Sequence, residues 1–183
     1  IDGATLVEKG AYSAFVNASA RVRLVSGASS GQVAATTGVY AIETGALSPF
    51  IGSYVTVPAG SPAWTVSVNG NAAAVPPITL AAGSDNTLLV TGSAAAAAVA
   101  QLVDDNHAPT TTSNVNLRLV NGMSNSVAGL SLTVDFAMTA SNITPGSGST
   151  YKPVAGNTNM RLEVDSPLST TPLSLQTGLN IPG

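Results

Sequence analysis

Trp64-Thr65-Val66-Ser67-Val68-Asn69-Gly70 decides the class of fold. Along an extended chain Trp64, Val66 and Val68 fall on one side and Thr65 and Ser67 on the other, the alternation of a half-buried antiparallel strand. Asn69-Gly70 follows directly, and this pair tolerates the positive φ angles of a tight hairpin. Similar runs recur at residues 21–25, 54–57, 87–90 and 130–134, with turn residues between them. Pro58, Pro62, Pro76 and Pro77 stand at the ends of runs, where a missing N–H harms no ladder. The one helix-like stretch, residues 94–100, is alanine-rich but short. Small residues also fit between packed sheets, so it leans to strand or loop. The expectation is an all-β protein.

Composition narrows the function. Of 183 residues 44% are hydrophobic and 8% charged, against about 25% charged in ordinary soluble domains. Six Lys+Arg against nine Asp+Glu cannot make the basic surface that nucleic acid requires. No apolar run approaches the ~20 residues of a membrane helix. The absence of Cys excludes disulfides, thiolate catalysis and Cys-based zinc sites. A start at Ile1, without an apolar leader, reads as a processed or trimmed chain.

The chain also repeats itself. Arg21-Val22-Arg23-Leu24-Val25-Ser26-Gly27-Ala28-Ser29 aligns with Asn116-Leu117-Arg118-Leu119-Val120-Asn121-Gly122-Met123-Ser124 at an offset of 95. Val57-Pro58-Ala59-Gly60, followed by Trp64, Val66 and Val68, aligns with Pro153-Val154-Ala155-Gly156, followed by Met160, Leu162 and Val164, at 96. Ile78-Thr79-Leu80-Ala81-Ala82-Gly83 aligns with Leu173-Ser174-Leu175-Gln176-Thr177-Gly178 at 95. Three blocks in one order imply two tandem immunoglobulin-like antiparallel β-sandwiches. The boundaries read as an N-terminal extension over 1–19, a first repeat over 20–103, a linker over 104–114 and a second repeat over 115–183.

After Gly83 the first repeat adds one more strand, Asn86-Thr87-Leu88-Leu89-Val90-Thr91-Gly92, whereas only Leu179-Asn180-Ile181-Pro182-Gly183 follows Gly178. The second repeat is therefore expected to lack its last strand. Two or three apolar side chains left uncovered forfeit roughly 1.5–3 kcal/mol each, and each lost ladder hydrogen bond about 0.5–1.5 kcal/mol. That rivals the whole stability of a small domain, ~5–15 kcal/mol. Thr5-Leu6-Val7-Glu8-Lys9-Gly10 resembles Thr87-Leu88-Leu89-Val90-Thr91-Gly92, making the extension a candidate donor strand. Thr5, Leu6, Val7, Tyr12, Ala14 and Val16 are its candidate assembly residues, and Leu173 and Leu175 mark the candidate acceptor edge. Three readings stand open: insertion into the next molecule, closure within one chain, or a chain that stops short of its natural end. The first contact is head-to-tail and need not close, so it makes a filament.

These blocks resemble the family catalogued as domain of unknown function 4397. The resemblance is carried by Ala20-Arg21-Val22-Arg23-Leu24-Val25, Val57-Pro58-Ala59-Gly60, Leu80-Ala81-Ala82-Gly83, Thr87-Leu88-Leu89-Val90-Thr91-Gly92 and Leu102-Val103-Asp104-Asp105. In the second copy Leu117-Arg118-Leu119-Val120 and Val134-Asp135 also fit. The resemblance implies β-sandwich domains, often in tandem, on secreted or envelope-anchored prokaryotic proteins, and no activity. Two departures stand out. Ser26-Gly27-Ala28-Ser29 and Asn121-Gly122-Met123-Ser124 occupy the place where the family often has His and then Ser-Pro, and residues 31–47 lack its usual valine-aspartate pair.

Residues that carry chemistry elsewhere are sparse. Asp104-Asp105-Asn106-His107 is the only cluster of ligand-type side chains, but its spacing is not that of an EF-hand, and a solvated turn explains it equally well. Asp104 and Asp105 are thus weak metal candidates, and no metal or cofactor is expected. No Gly-x-Ser-x-Gly elbow accompanies the sole histidine, His107. Glu163 and Asp165 share the solvent face of a strand whose Met160, Leu162 and Val164 point inward, which is not a glycosidase pair. Gly146-Ser147-Gly148-Ser149 lacks the Lys of a phosphate loop. Asn17-Ala18-Ser19 and Asn142-Ile143-Thr144 fit the glycosylation pattern, which arises readily in such a composition. Arg23 and Arg118 occupy equivalent points of equivalent strands, which implies a structural role.

The expectation is a non-enzymatic, secreted or cell-surface structural subunit that partners itself head to tail, with neither nucleic acid nor a membrane span. The alternative is a monomeric adhesion module that holds a glycan or protein in its loops.

Overall fold

A computed structural model describes residues 18–104 and 113–182 in full, and the backbone of residues 5–8 and 11–14. A short hairpin comes first, β1 (Thr5–Glu8) with β2 (Ala11–Ala14). The first repeat contains β3 (Ser19–Ser26), β4 (Gln32–Thr37), β5 (Tyr40–Leu47), β6 (Phe50–Ile51), β7 (Val55–Pro58), β8 (Trp64–Val68), β9 (Asn71–Ala72), β10 (Asp85–Ser93) and β11 (Ala96–Val103). The second contains β12 (Asn114–Leu117), β13 (Val120–Asn121), β14 (Leu130–Val134), β15 (Ala137–Ile143), β16 (Ser147–Gly148), β17 (Lys152–Ala155), β18 (Asn157–Asp165) and β19 (Ser174–Ile181). The fold is all-β, with no helix among the described residues.

The alternation read at Trp64 works as expected. Val66 and Val68 are buried, the Trp64 ring packs on the same core, and Asn69 and Gly70 both take positive φ, turning β8 into β9. The alanine run is strand: β11 turns back on β10 through Ala94 and Ala95, with Ala97 and Val99 facing the core. Pairing with a buried strand overrides the helix preference of alanine, which is worth only tenths of a kcal/mol per residue.

One sheet has the same order in both repeats, β5-β4-β8-β9 in the first and β15-β14-β18-β19 in the second. The other sheets differ. In the first repeat β3 is flanked by β6 and β7 on one side and by β10 on the other, and β11 lies beyond β10. In the second, β12 pairs with β17 and β13 with β16, and among the described residues no strand pairs with their opposite edge. The β3–β10 pairing is parallel, Arg23 against Thr87 and Leu24 against Leu88. The sandwich is therefore not purely antiparallel. Parallel neighbours need a long connection, and residues 27–84 provide it here.

Two separate cores result. Among the described residues, sixteen buried apolar residues form the first, from Ala20 to Val99, and six form the second, from Leu119 to Met160.

Candidate functional site

Part of the outer face of β3 and β10 carries the second repeat, while Arg21 near the start of β3 stays exposed. β10 is buried on both sides, because Leu88 and Val90 face the first core while Leu89 lies beneath Gly122. Gly27 and Gly122, equivalent in the repeat, touch backbone to backbone where the two copies cross. Ser124 fastens this crossing: its hydroxyl donates to the Gly27 carbonyl and accepts from the Gly92 N–H (2.7 Å). The loop after the crossing strand is also built alike, with Ser26 Oγ accepting from Ala28 N (3.2 Å) and Asn121 Oδ1 from Met123 N (3.1 Å).

Asp104 sits at the centre of this contact with its side chain fully buried. One carboxylate oxygen accepts from Tyr54 Oη and Thr87 Oγ1 (2.6 Å), and the other from the Arg118 guanidinium. Arg23 Nε donates to Thr87 Oγ1 (2.8 Å) and stands 3.8 Å from Asp104 Oδ2. Arg118 also donates to the Val103 carbonyl (3.1 Å). Each repeated arginine stacks on a tyrosine, Arg23 on Tyr54 (4.9 Å) and Arg118 on Tyr151 (4.7 Å).

This corrects the reading of Asp104 as part of a solvated linker. It is a buried acceptor whose oxygens are already occupied by four protein groups' worth of charge and hydrogen bonding, and no cluster of three metal-ligating side chains occurs among the described residues. Asp105, Asn106 and His107 lie outside the described residues. The structural role expected of the arginines holds, but the partner they share is the Asp104 carboxylate, and the carbonyl, that of Val103, accepts from Arg118.

Burial pushes the Tyr54 phenol up to about 12, and its hydrogen bond to Asp104 adds to the effect. Below pH ~10 the phenol is neutral in both folded and unfolded chains, so stability does not depend on it there. Between pH ~10 and about 12 the unfolded chain releases a proton that the folded one keeps, and stability falls as pH rises. Urea midpoints measured across this window should drop, and Tyr54→Phe should flatten the drop. An equal slope in the variant would place the titration elsewhere.

Thr5, Leu6 and Val7 are on β1, and Tyr12 and Ala14 on β2. The side chains of these residues, and Val16 as a whole, lie outside the described residues. Leu173 and Leu175 are exposed on or beside β19, the outer strand of its sheet. That edge is not the counterpart of the one that receives β10. β10 lies beside β3, and the repeat equates β3 with β12 and β13.

The second core is less completely covered than the first. Val22 and Leu24 are wholly buried, while their counterparts Leu117 and Leu119 are respectively half-buried and 8% exposed. Val115, counterpart of the buried Ala20, is likewise half-buried. Beside this strand an open cleft of about 500 Å³ runs between the repeats, with Asn116, Arg118 and Tyr151 in its wall. Glu163 pairs with Arg161 on the same strand. Among the described residues no helix is long and apolar enough to cross a membrane. No known family model and no curated protein matches the chain.

Proposed function

We propose that this protein is a non-enzymatic, extracellular structural subunit, built of two tandem immunoglobulin-like sandwiches of the kind that the resemblance to domain of unknown function 4397 implies. Subunits join head to tail when the N-terminal extension of one adds to the open sheet of the second repeat of another. The observation that carries this reading is the contrast between two equivalent strands: β3 pairs with strands on both sides, whereas among the described residues β12 pairs with β17 alone. Val115 and Leu117, packed on the second core but only partly buried, add to the driving force, by a fraction of the roughly 1.5–3 kcal/mol that full burial of such a side chain is worth. Low charge agrees with it, because natural proteins blunt free edges with charged side chains and only 8% of these residues are charged.

Electron microscopy and size-exclusion chromatography of native material test the proposal. Filaments are expected from the intact chain, and folded monomers after removal of residues 1–16. An intact chain that stays monomeric by both methods would overturn assembly, and glycan or protein binding by that monomer would establish the adhesion module instead.

A further inference from the structure

We infer that the cleft between the two repeats is a binding site for a neutral saccharide, held by hydrogen bonds to its hydroxyls and by an apolar contact. This goes beyond the assembly reading and does not rest on it.

The cleft holds about 500 Å³, within the range of small-molecule sites. One wall is the end of β11, Gln101 to Val103; the other includes Arg118 and the stretch from Gly148 to Tyr151 that leads from β16 to β17. Arg118 ties the walls together, because its guanidinium donates to the Val103 carbonyl (3.1 Å) and stacks on the Tyr151 ring (4.7 Å). The shape is therefore set before a ligand arrives, which lowers the cost of ordering on binding.

Charge narrows the ligand class. Among the residues that line the cleft Arg118 alone is ionised, and the buried Asp104 carboxylate already matches it. An anion meets no unmatched positive charge in these walls, and a cation meets no carboxylate.

Hydrogen-bonding groups beside apolar surface make up the rest. Tyr54, stacked on Arg23, donates its hydroxyl to Asp104. Tyr151 is stacked on Arg118 in the same way, but among the described residues its hydroxyl has no partner. Gln101 donates its amide N–H groups to the Thr79 carbonyl (2.8 Å) and to Asn86 Oδ1 (2.9 Å), which fixes the amide and leaves Oε1 as an acceptor. Thr150 is exposed, and Val103 exposes 57% of its surface at the other wall. A sugar ring carries hydroxyls around its rim and C–H groups on its face, so it meets both kinds of group at once.

An array of neutral and acidic oligosaccharides, followed by calorimetry of the full chain with each neutral one that binds, tests the site. Tyr151→Phe keeps the ring and its stacking and removes only the hydroxyl. It should raise Kd roughly 2- to 12-fold, the loss of one hydrogen bond, with an unchanged urea midpoint. Val103→Ser, at an exposed position, should weaken binding by removing the apolar contact. Binding of acidic oligosaccharides alone, binding of none, or neutral binding that both variants leave unchanged would overturn the inference, whether the chain forms filaments or stays monomeric.

Discussion

Asp104→Asn is expected to destabilise the chain by about 3–5 kcal/mol, the usual cost of removing one partner from a buried ion pair. The substitution keeps the shape and deletes the charge. The nearly buried Arg118 guanidinium is then left without its counter-ion, and the Tyr54 and Thr87 hydroxyls lose their charged acceptor. At about 2–4 °C per kcal/mol for a chain of this length, thermal unfolding should move down by roughly 6–20 °C. Arg118→Met should cost less, because the carboxylate it abandons still receives two hydroxyl donors and has Arg23 at 3.8 Å. A methionine also fills space without carrying charge into the contact. Thermal and urea unfolding of both variants provide the check; an Asp104→Asn protein as stable as its parent would show that the buried carboxylate contributes nothing net.

Gly27→Ala should be as damaging, and Gly122→Ala nearly silent, although the two glycines are equivalent in the repeat. A Cβ on Gly27 would sit 1.8 Å from the Gly122 carbonyl oxygen, and a backbone carbonyl cannot rotate away as a side chain can. Relief requires the two repeats to separate, breaking the Ser124 and Arg118 links with them. Overpacking in a close contact costs about 1–3 kcal/mol and at times more, and this geometry belongs at the upper end. A Cβ on Gly122 meets Leu89 Cδ1 at 3.5 Å and the Gly27 Cα at 3.7 Å, which are ordinary contacts. That substitution should stay within about 0.5 kcal/mol of the parent. Unfolding midpoints and the hydrodynamic radius of the two variants distinguish the cases. Equal behaviour would mean that the repeats do not cross at these glycines.

The alternation at Trp64, Val66 and Val68, the Asn69-Gly70 turn and the equivalence of Arg23 and Arg118 were all legible in the sequence, as was the extra strand of the first repeat. Side-chain alternation and turn chemistry are local properties, set by the extended backbone and the φ angles that Asn and Gly accept. Two copies of one pattern make similar strands wherever they stand. The place of that extra strand in its sheet was harder to read. Residues 173–178 are next in sequence to the expected missing strand, so Leu173 and Leu175 were its natural neighbours on paper. The sheet instead pairs β10 with β3, over 60 residues earlier, by a long crossover that no local pattern announces.

Asp104 shows the same division. As Asp-Asp-Asn-His it reads as a turn, since these side chains favour solvent and loops. What buries it is the convergence of Tyr54, Thr87, Arg23 and Arg118 from four different strands or strand ends, each too far away in sequence to influence it before folding. The sequence alone determined that the fold is all-β and that blocks of one pattern recur in it in the same order. Only the tertiary structure decided which faces of the two copies meet and which carboxylate joins them, because strand partners and sheet faces are chosen by contacts between distant residues.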